Sequence, residues 1–238
     1  MKEHTDFYSR QKAEFFANFG LEKFSFPELN LANQMLPDLA KEIIWIRQHV
    51  EEGSLDRTIL TQRAHTVYID TRPCPPFLDP YDNDNHFLGQ LIAQLRETGK
   101  IPQRLEDWGK DAVELVLPKT SRFGISIPEI EELLIPAVKQ QLSLNSLTIR
   151  LPTPVELLCL RSLMKIFSDL PSGDNLSQTM EWTNNRYLST EGKKLGHIYI
   201  SGRNDKFKSG GVHWWFTEGK INRLPTLGFR LVIEPANN

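Results

Sequence analysis

Apolar residues recur at helical spacing through the first third of the chain. Later they give way to short alternating or continuous runs separated by glycine-rich polar stretches. Asp6 to Phe19 carries Phe7, Phe15, Phe16 and Phe19 ahead of Gly20, which predicts a helix with a glycine stop. Behind Pro37 and Asp38, the positions Leu36, Leu39, Ile43, Ile46 and Val50 step by three and four until Gly53. A stripe of this kind predicts a helix packed on its own domain; the alternative is a docking seam for helix-mediated association. Ala64 to Asp70 reads as a strand with Val67 and Ile69 on one face, and Pro73, Pro75 and Pro76 then enforce an extended loop.

The pattern from His86 to Thr98 is again helical, with Phe87, Leu88, Leu91, Ile92 and Leu95 in line before Gly99. Ala112 to Leu117 is a short apolar strand. Ser126 with Glu129, and Thr153 with Glu156, have the spacing of capping boxes, in which side chain and backbone satisfy each other at a helix start. Pro136 stands inside the first of these helices and is expected to kink or split it. The second, opened by Pro154, is expected to bury Leu157, Leu160, Met164 and Phe167. After Pro171-Ser172-Gly173 the chain turns to strands, at His197 to Ser201, Val212 to Phe216 and Phe229 to Ile233. Helices early and strands late predict an α+β fold, with residues 1–60 as a helical extension and 61–238 as the main domain.

Composition narrows the function classes. The 238 residues are 39% hydrophobic and 24% charged with a net charge of −2, an ordinary globular balance without a basic footprint for nucleic acid. No apolar run approaches the ~20 residues of a membrane span. The opening residues Met1 to Asp6 lack a signal-peptide core, and with only Cys74 and Cys159 a cytoplasmic, reduced protein is expected. Asp79, Asp82 and Asp84 have oxygen-rich spacing that would suit calcium, yet the glycine and distal glutamate of an EF-hand loop are missing; an acidic helix cap is the alternative.

Three strings in the second half carry a resemblance. Arg150-Leu151-Pro152-Thr153, Met180-Glu181-Trp182-Thr183 and Gly228-Phe229-Arg230, with Gly210-Gly211-Val212-His213-Trp214 before the last, follow one another in order. Together they resemble the formylglycine-generating-enzyme-like (sulfatase-modifying-factor) branch of the C-type-lectin fold, over residues 120–233. The resemblance implies a C-type-lectin-like core with an N-terminal helical elaboration, a buried tryptophan at the second string and a closing strand at the third. Arg150 and Arg230 are expected to make buried carboxylate pairs, with Glu156 and Glu181 as candidates, or carbonyl contacts, rather than to touch a ligand.

That family's enzyme works through a late cysteine pair, and no cysteine occurs after residue 159 here. Its iron-dependent relatives need a histidine set, but His4, His49, His65, His86, His197 and His213 include no pair at ligand spacing. A non-catalytic recognition module without cofactor or metal is therefore expected, binding a protein or small-molecule ligand. The alternatives are a metal-dependent oxidoreductase of the same superfamily or a component of a larger assembly. In the non-catalytic branch the ligand surface precedes the last strand. Here that segment offers Arg203, Asn204, His213, Trp215, Asn222 and Arg223 as ligand-binding candidates, side chains of the kind that make binding hot spots.

Overall fold

Two four-stranded sheets organise the protein, and a late strand lies in the middle of the first. The computed structural model describes residues 10–71, 87–105, 115–142, 147–164, 180–189, 191–201, 212–216, 223 and 227–235. In order, the elements are α1 (Arg10–Ala17), β1 (Glu22–Phe26), β2 (Leu29–Asn30), α2 (Ala40–Glu51), β3 (Thr61–Gln62), β4 (His65–Ile69) and α3 (Phe87–Glu97). There follow β5 (Arg104–Leu105), β6 (Leu115–Val116), α4 (Ile127–Glu129), α5 (Ile135–Leu142), β7 (Leu147–Arg150) and α6 (Pro154–Met164). The last are β8 (Met180–Leu188), β9 (Lys194–Ser201), β10 (Val212–Phe216), β11 (Leu227–Gly228) and β12 (Val232–Pro235). The fold class is α+β.

The first sheet runs β1-β4-β12-β7 with every neighbour antiparallel, and the second runs β10-β9-β8-β11 with only β11 and β8 parallel. Strand β4 is covered on both faces. Val67 and Ile69 enter one core with Ile43 and Ile46 of α2, Leu157 and Leu160 of α6, and Ile198 and Ile200 of β9. Tyr68 enters a second core with Phe16 of α1, Ile92 of α3, Ile130, Leu134 and Val138, and Trp182 of β8. Alternation along an extended strand forces this division, because successive side chains leave opposite faces.

Residues 1–60 are not wholly helical. Glu22–Phe26 forms β1 against β4, where Phe24 and Phe26 alternate with polar residues and meet at 4.8 Å. The helix expected from Pro37 opens with a 3-10 turn, Pro37–Leu39, before α2. Its stripe is taken up by this chain: Leu39, Ile43 and Ile46 are buried, and Leu36 and Val50 pack against the same core. The final strand is also corrected, since Phe229 to Leu231 lies between β11 and β12 rather than within one continuous strand.

The helix expected to be kinked or split at Pro136 is divided just before it. Between α4 and α5 the chain forms a π-helical segment, Ile130–Leu134. A proline has no N–H to donate and its ring crowds the preceding turn, so a wider turn just before it relieves the clash. Gly228 answers a different constraint. A Cβ there would lie 2.9 Å from the Phe123 ring, so a side chain at this position would have to displace that ring.

Trp182 is buried and its indole N–H donates to the Ile125 carbonyl at 3.2 Å, tying β8 to the start of α4. Beside it, Glu181 holds two arginines. Arg230 Nε donates to Glu181 Oε2 at 2.7 Å, and Arg122 Nη2 lies 2.7 Å from Oε1. Arg122 also donates to the Phe229 carbonyl at 2.9 Å, and Arg230 to the Asp70 carbonyl. All three side chains are at most 1% exposed. Removing the shared carboxylate would strand two buried guanidiniums. Glu181→Leu should cost about 3–5 kcal/mol in urea unfolding, against under ~1 kcal/mol for a leucine at exposed Glu191.

Candidate functional site

Arg150, at the end of β7, is forked on two carboxylates. Its Nη1 and Nη2 donate to Glu156 at 2.8 and 2.7 Å, and its Nε and Nη2 donate to Glu234 at 2.8 and 3.2 Å. The Leu151 carbonyl takes a further bond at 3.1 Å. Glu156 belongs to the capping box of α6: its Oε2 accepts from the Thr153 N–H at 2.6 Å, while its own N–H donates to Thr153 Oγ1 at 3.1 Å. His65 of β4 closes the cluster, with Nε2 2.7 Å from Glu156 Oε1 and its ring stacked on Phe26 at 5.1 Å.

His65, Arg150, Thr153 and Glu156 line a polar recess of about 340 Å³, within the range of small-ligand pockets. Thr58, Ile59, Thr61, Gln62, Asn184 and Asn185 also line it. The two asparagines arrive there through a break in the sheet register. Trp182 pairs with Tyr199 and Arg186 with His197, so three residues of β8 oppose the single Ile198 of β9. That bulge is fastened from both sides. Thr183 Oγ1 donates to the Ile198 carbonyl at 2.8 Å, and the Asn184 N–H donates to the Pro152 carbonyl at 2.9 Å. Bulges re-aim side chains out of the pleat, and this one turns consecutive carboxamides onto the rim. Neither carboxamide is drawn into a hydrogen bond among the described residues.

The electrostatics are self-contained. Burial opposes ionisation of Glu156, but hydrogen bonds from Arg150 and His65 and the Arg150 charge outweigh it and hold the carboxyl at about 2. Burial likewise disfavours the charged His65, yet the bonds to Glu156 and to the Arg63 carbonyl prevail and raise its pKa above 6.5. Arg150 is shifted upward by its two carboxylates despite desolvation. With His65 protonated, two cations balance two anions. Cys159, on the next turn of α6, is buried and its thiol is pushed up to about 12 by desolvation and the nearby Glu156 charge. At neutral pH this thiol stays protonated. His197 is buried too, and desolvation lowers it to about 4, leaving a neutral ring beside the Thr183 carbonyl. Among the described residues, no group of three or more His, Cys, Asp or Glu is placed to hold a metal ion.

Of the six ligand-binding candidates, Arg203, Asn204 and Asn222 lie outside the described residues, as do Asp79, Asp82, Asp84 and Cys74. His213 and Trp215 fall in β10, opposite Tyr199 and His197 in register. Arg223 is committed elsewhere: its Nε and Nη2 fork onto Glu129 at 2.6–3.2 Å, the carboxylate that also accepts the N–H and hydroxyl of Ser126. The pairing expected for Arg150 with Glu156, and for Arg230 with Glu181, is present. His65, Asn184 and Asn185 were not singled out by the sequence. His65 meets a partner 91 residues away, which leaves no local mark. Paired asparagines inside a strand pattern are the signal that was there to find, since asparagine is depleted in regular strands.

No protein-family model matches this chain, and no curated protein or solved structure matches it.

Because the folded Glu156 carboxyl lies below its ordinary 4.5, its stabilisation is complete above that value and is lost as pH falls toward about 2. Glu156→Gln should therefore lower stability near neutral pH by about 3 kcal/mol and flatten the acid limb of a stability–pH curve, read by urea unfolding at each pH.

Proposed function

We propose that this protein is a non-catalytic recognition module on a C-type-lectin-like, formylglycine-generating-enzyme-like scaffold, seating a small uncharged polar ligand in the Arg150–Glu156 recess. One observation carries the reading. Every ionisable group described in the recess is held in a neutralising pair, while the carboxamides of Asn184 and Asn185 stand ready to donate and accept. A site built for proton transfer keeps a group poised near the working pH; here Glu156 is held well below neutrality and Arg150 above it. His65, the exception in range, has both ring nitrogens engaged. A balanced charge set also gives no reward for a charged ligand, whereas carboxamides match hydroxyl or amide groups.

The scaffold part of the reading is supported by the strings that suggested it. Thr153 and Glu156 form the capping box, Trp182 is a buried anchor on Ile125, and Arg230 after Gly228-Phe229 joins the closing strand to Glu181. The closing strand also pairs with early and middle strands in one sheet. Among the described residues, no helix is long and apolar enough to cross a membrane.

A thermal-shift screen of uncharged polyols, sugars and amides beside their charged analogues tests the proposal. Stabilising hits should come from the uncharged set. Asn185→Leu, on a half-buried rim position, should weaken them about tenfold with the melting temperature of the free protein unchanged. Arg203→Ala and Trp215→Ala form the comparison, because they report on the segment before the last strand. Hits lost in those variants but kept in Asn185→Leu would move the ligand surface there. Turnover of any hit into product would end the non-catalytic reading.

A further inference from the structure

One wall of the recess depends on a particular protonation state. His65 Nδ1 lies 2.8 Å from the Arg63 carbonyl and Nε2 lies 2.7 Å from Glu156 Oε1. Both partners can only accept. A neutral imidazole carries one N–H and one lone pair, so it can satisfy one of these contacts and must repel the other. Only the imidazolium donates to both. The geometry of His65 is thus that of the protonated ring.

The surroundings make this a local device. Glu156, at the start of α6, favours the charged ring, and Arg150, at the end of β7, opposes it while being held by Glu156 and by Glu234 of β12. Phe26 of β1 covers one face of the ring with no charge of its own. The Cys159 thiol near Glu156 stays protonated at neutral pH. If His65 releases Glu156, that carboxylate keeps the Arg150 fork and the Thr153 N–H, so the start of α6 remains capped. Only the imidazole, about a quarter exposed and already lining the recess, has somewhere to go.

We propose that His65 is a proton-operated latch on the recess: protonated, it is pinned between Arg63 and Glu156 and leaves the recess open; neutral, it swings inward and obstructs the ligand. This rests on reading the recess as the ligand seat and adds that binding is linked to one proton. The direction follows from the upward shift of His65. The latched state is complete below 6.5 and is lost as pH rises through the higher value of the folded protein.

The test begins with the free protein, through nitrogen-15 spectra of the His65 ring and of the Asn184 and Asn185 side-chain amides across a pH titration. The ring should show the imidazolium pattern at 6.5, and the asparagine signals should shift with its deprotonation. His65→Gln, which offers Glu156 a donor that does not titrate, should abolish that shift while remaining folded. For ligands found in the screen, affinity should fall by up to about tenfold per pH unit above the His65 transition, and should be flat in His65→Gln. A neutral ring at 6.5, or asparagine signals that ignore a titrating His65, would overturn the latch while leaving the ligand seat standing. An empty screen would instead remove the ligand seat, with the latch still decided by the ring and asparagine signals.

Discussion

Arg230 is the joint on which the two sheets depend. Its side chain pairs with Glu181 on β8 of the second sheet and donates to the carbonyl of Asp70, which follows β4 of the first. Arg122 approaches the same carboxylate from the segment before α4 and holds the Phe229 carbonyl beside it. Buried charges of this kind add little net stability compared with an apolar core, because their desolvation is costly. Their effect is geometric. Guanidinium and carboxylate planes satisfy one another in few orientations, so the crossing from β11 to β12 is held at one angle and one depth.

The same economy of parts appears at both helix starts. Glu129 and Glu156 each close a capping box, a local interaction between residues three apart. Each is also the landing point for an arginine: Arg223 for the first and Arg150 for the second. A carboxylate near a helix N-terminus is favoured by the exposed N–H groups there. Long-range pairing is thereby built on positions that local physics has prepared. At Glu156 the arrangement also produces the recess, since the helix start, the end of β7 and the bulge of β8 converge on the Pro152–Thr153 turn.

Much of the helical content was legible. Gly20, Gly53 and Gly99 all take positive φ just after the helices they were expected to end, and the two serine and threonine boxes lie where the spacing put them. These signals are contained within a few residues, so no partner is needed to read them. Strands were harder. β1, β7 and the long β8 were missed, and what makes β1 and β7 strands is the edge of β4 and of β12 beside them. The site was legible in one half. Arg150 and Glu156 could be paired from their motif, whereas His65, Asn184 and Asn185 join them from strands 91 or fewer residues away in sequence.

By itself, then, the sequence determined the two capped helix starts, the three glycine stops, the α+β class and the two principal arginine–glutamate pairs. Each of these follows from neighbouring residues or from the scarcity of partners for a buried charge. Tertiary structure alone decided that the α2 stripe is internal, that Pro136 is absorbed by a π turn, and that Arg223 is engaged on Glu129. It also decided that His65 meets two acceptors and that a bulge brings two asparagines into the lining of the same recess. The reason is physical: such placements depend on which strand edges meet and in what register, and register is a property of the paired sheet rather than of either strand.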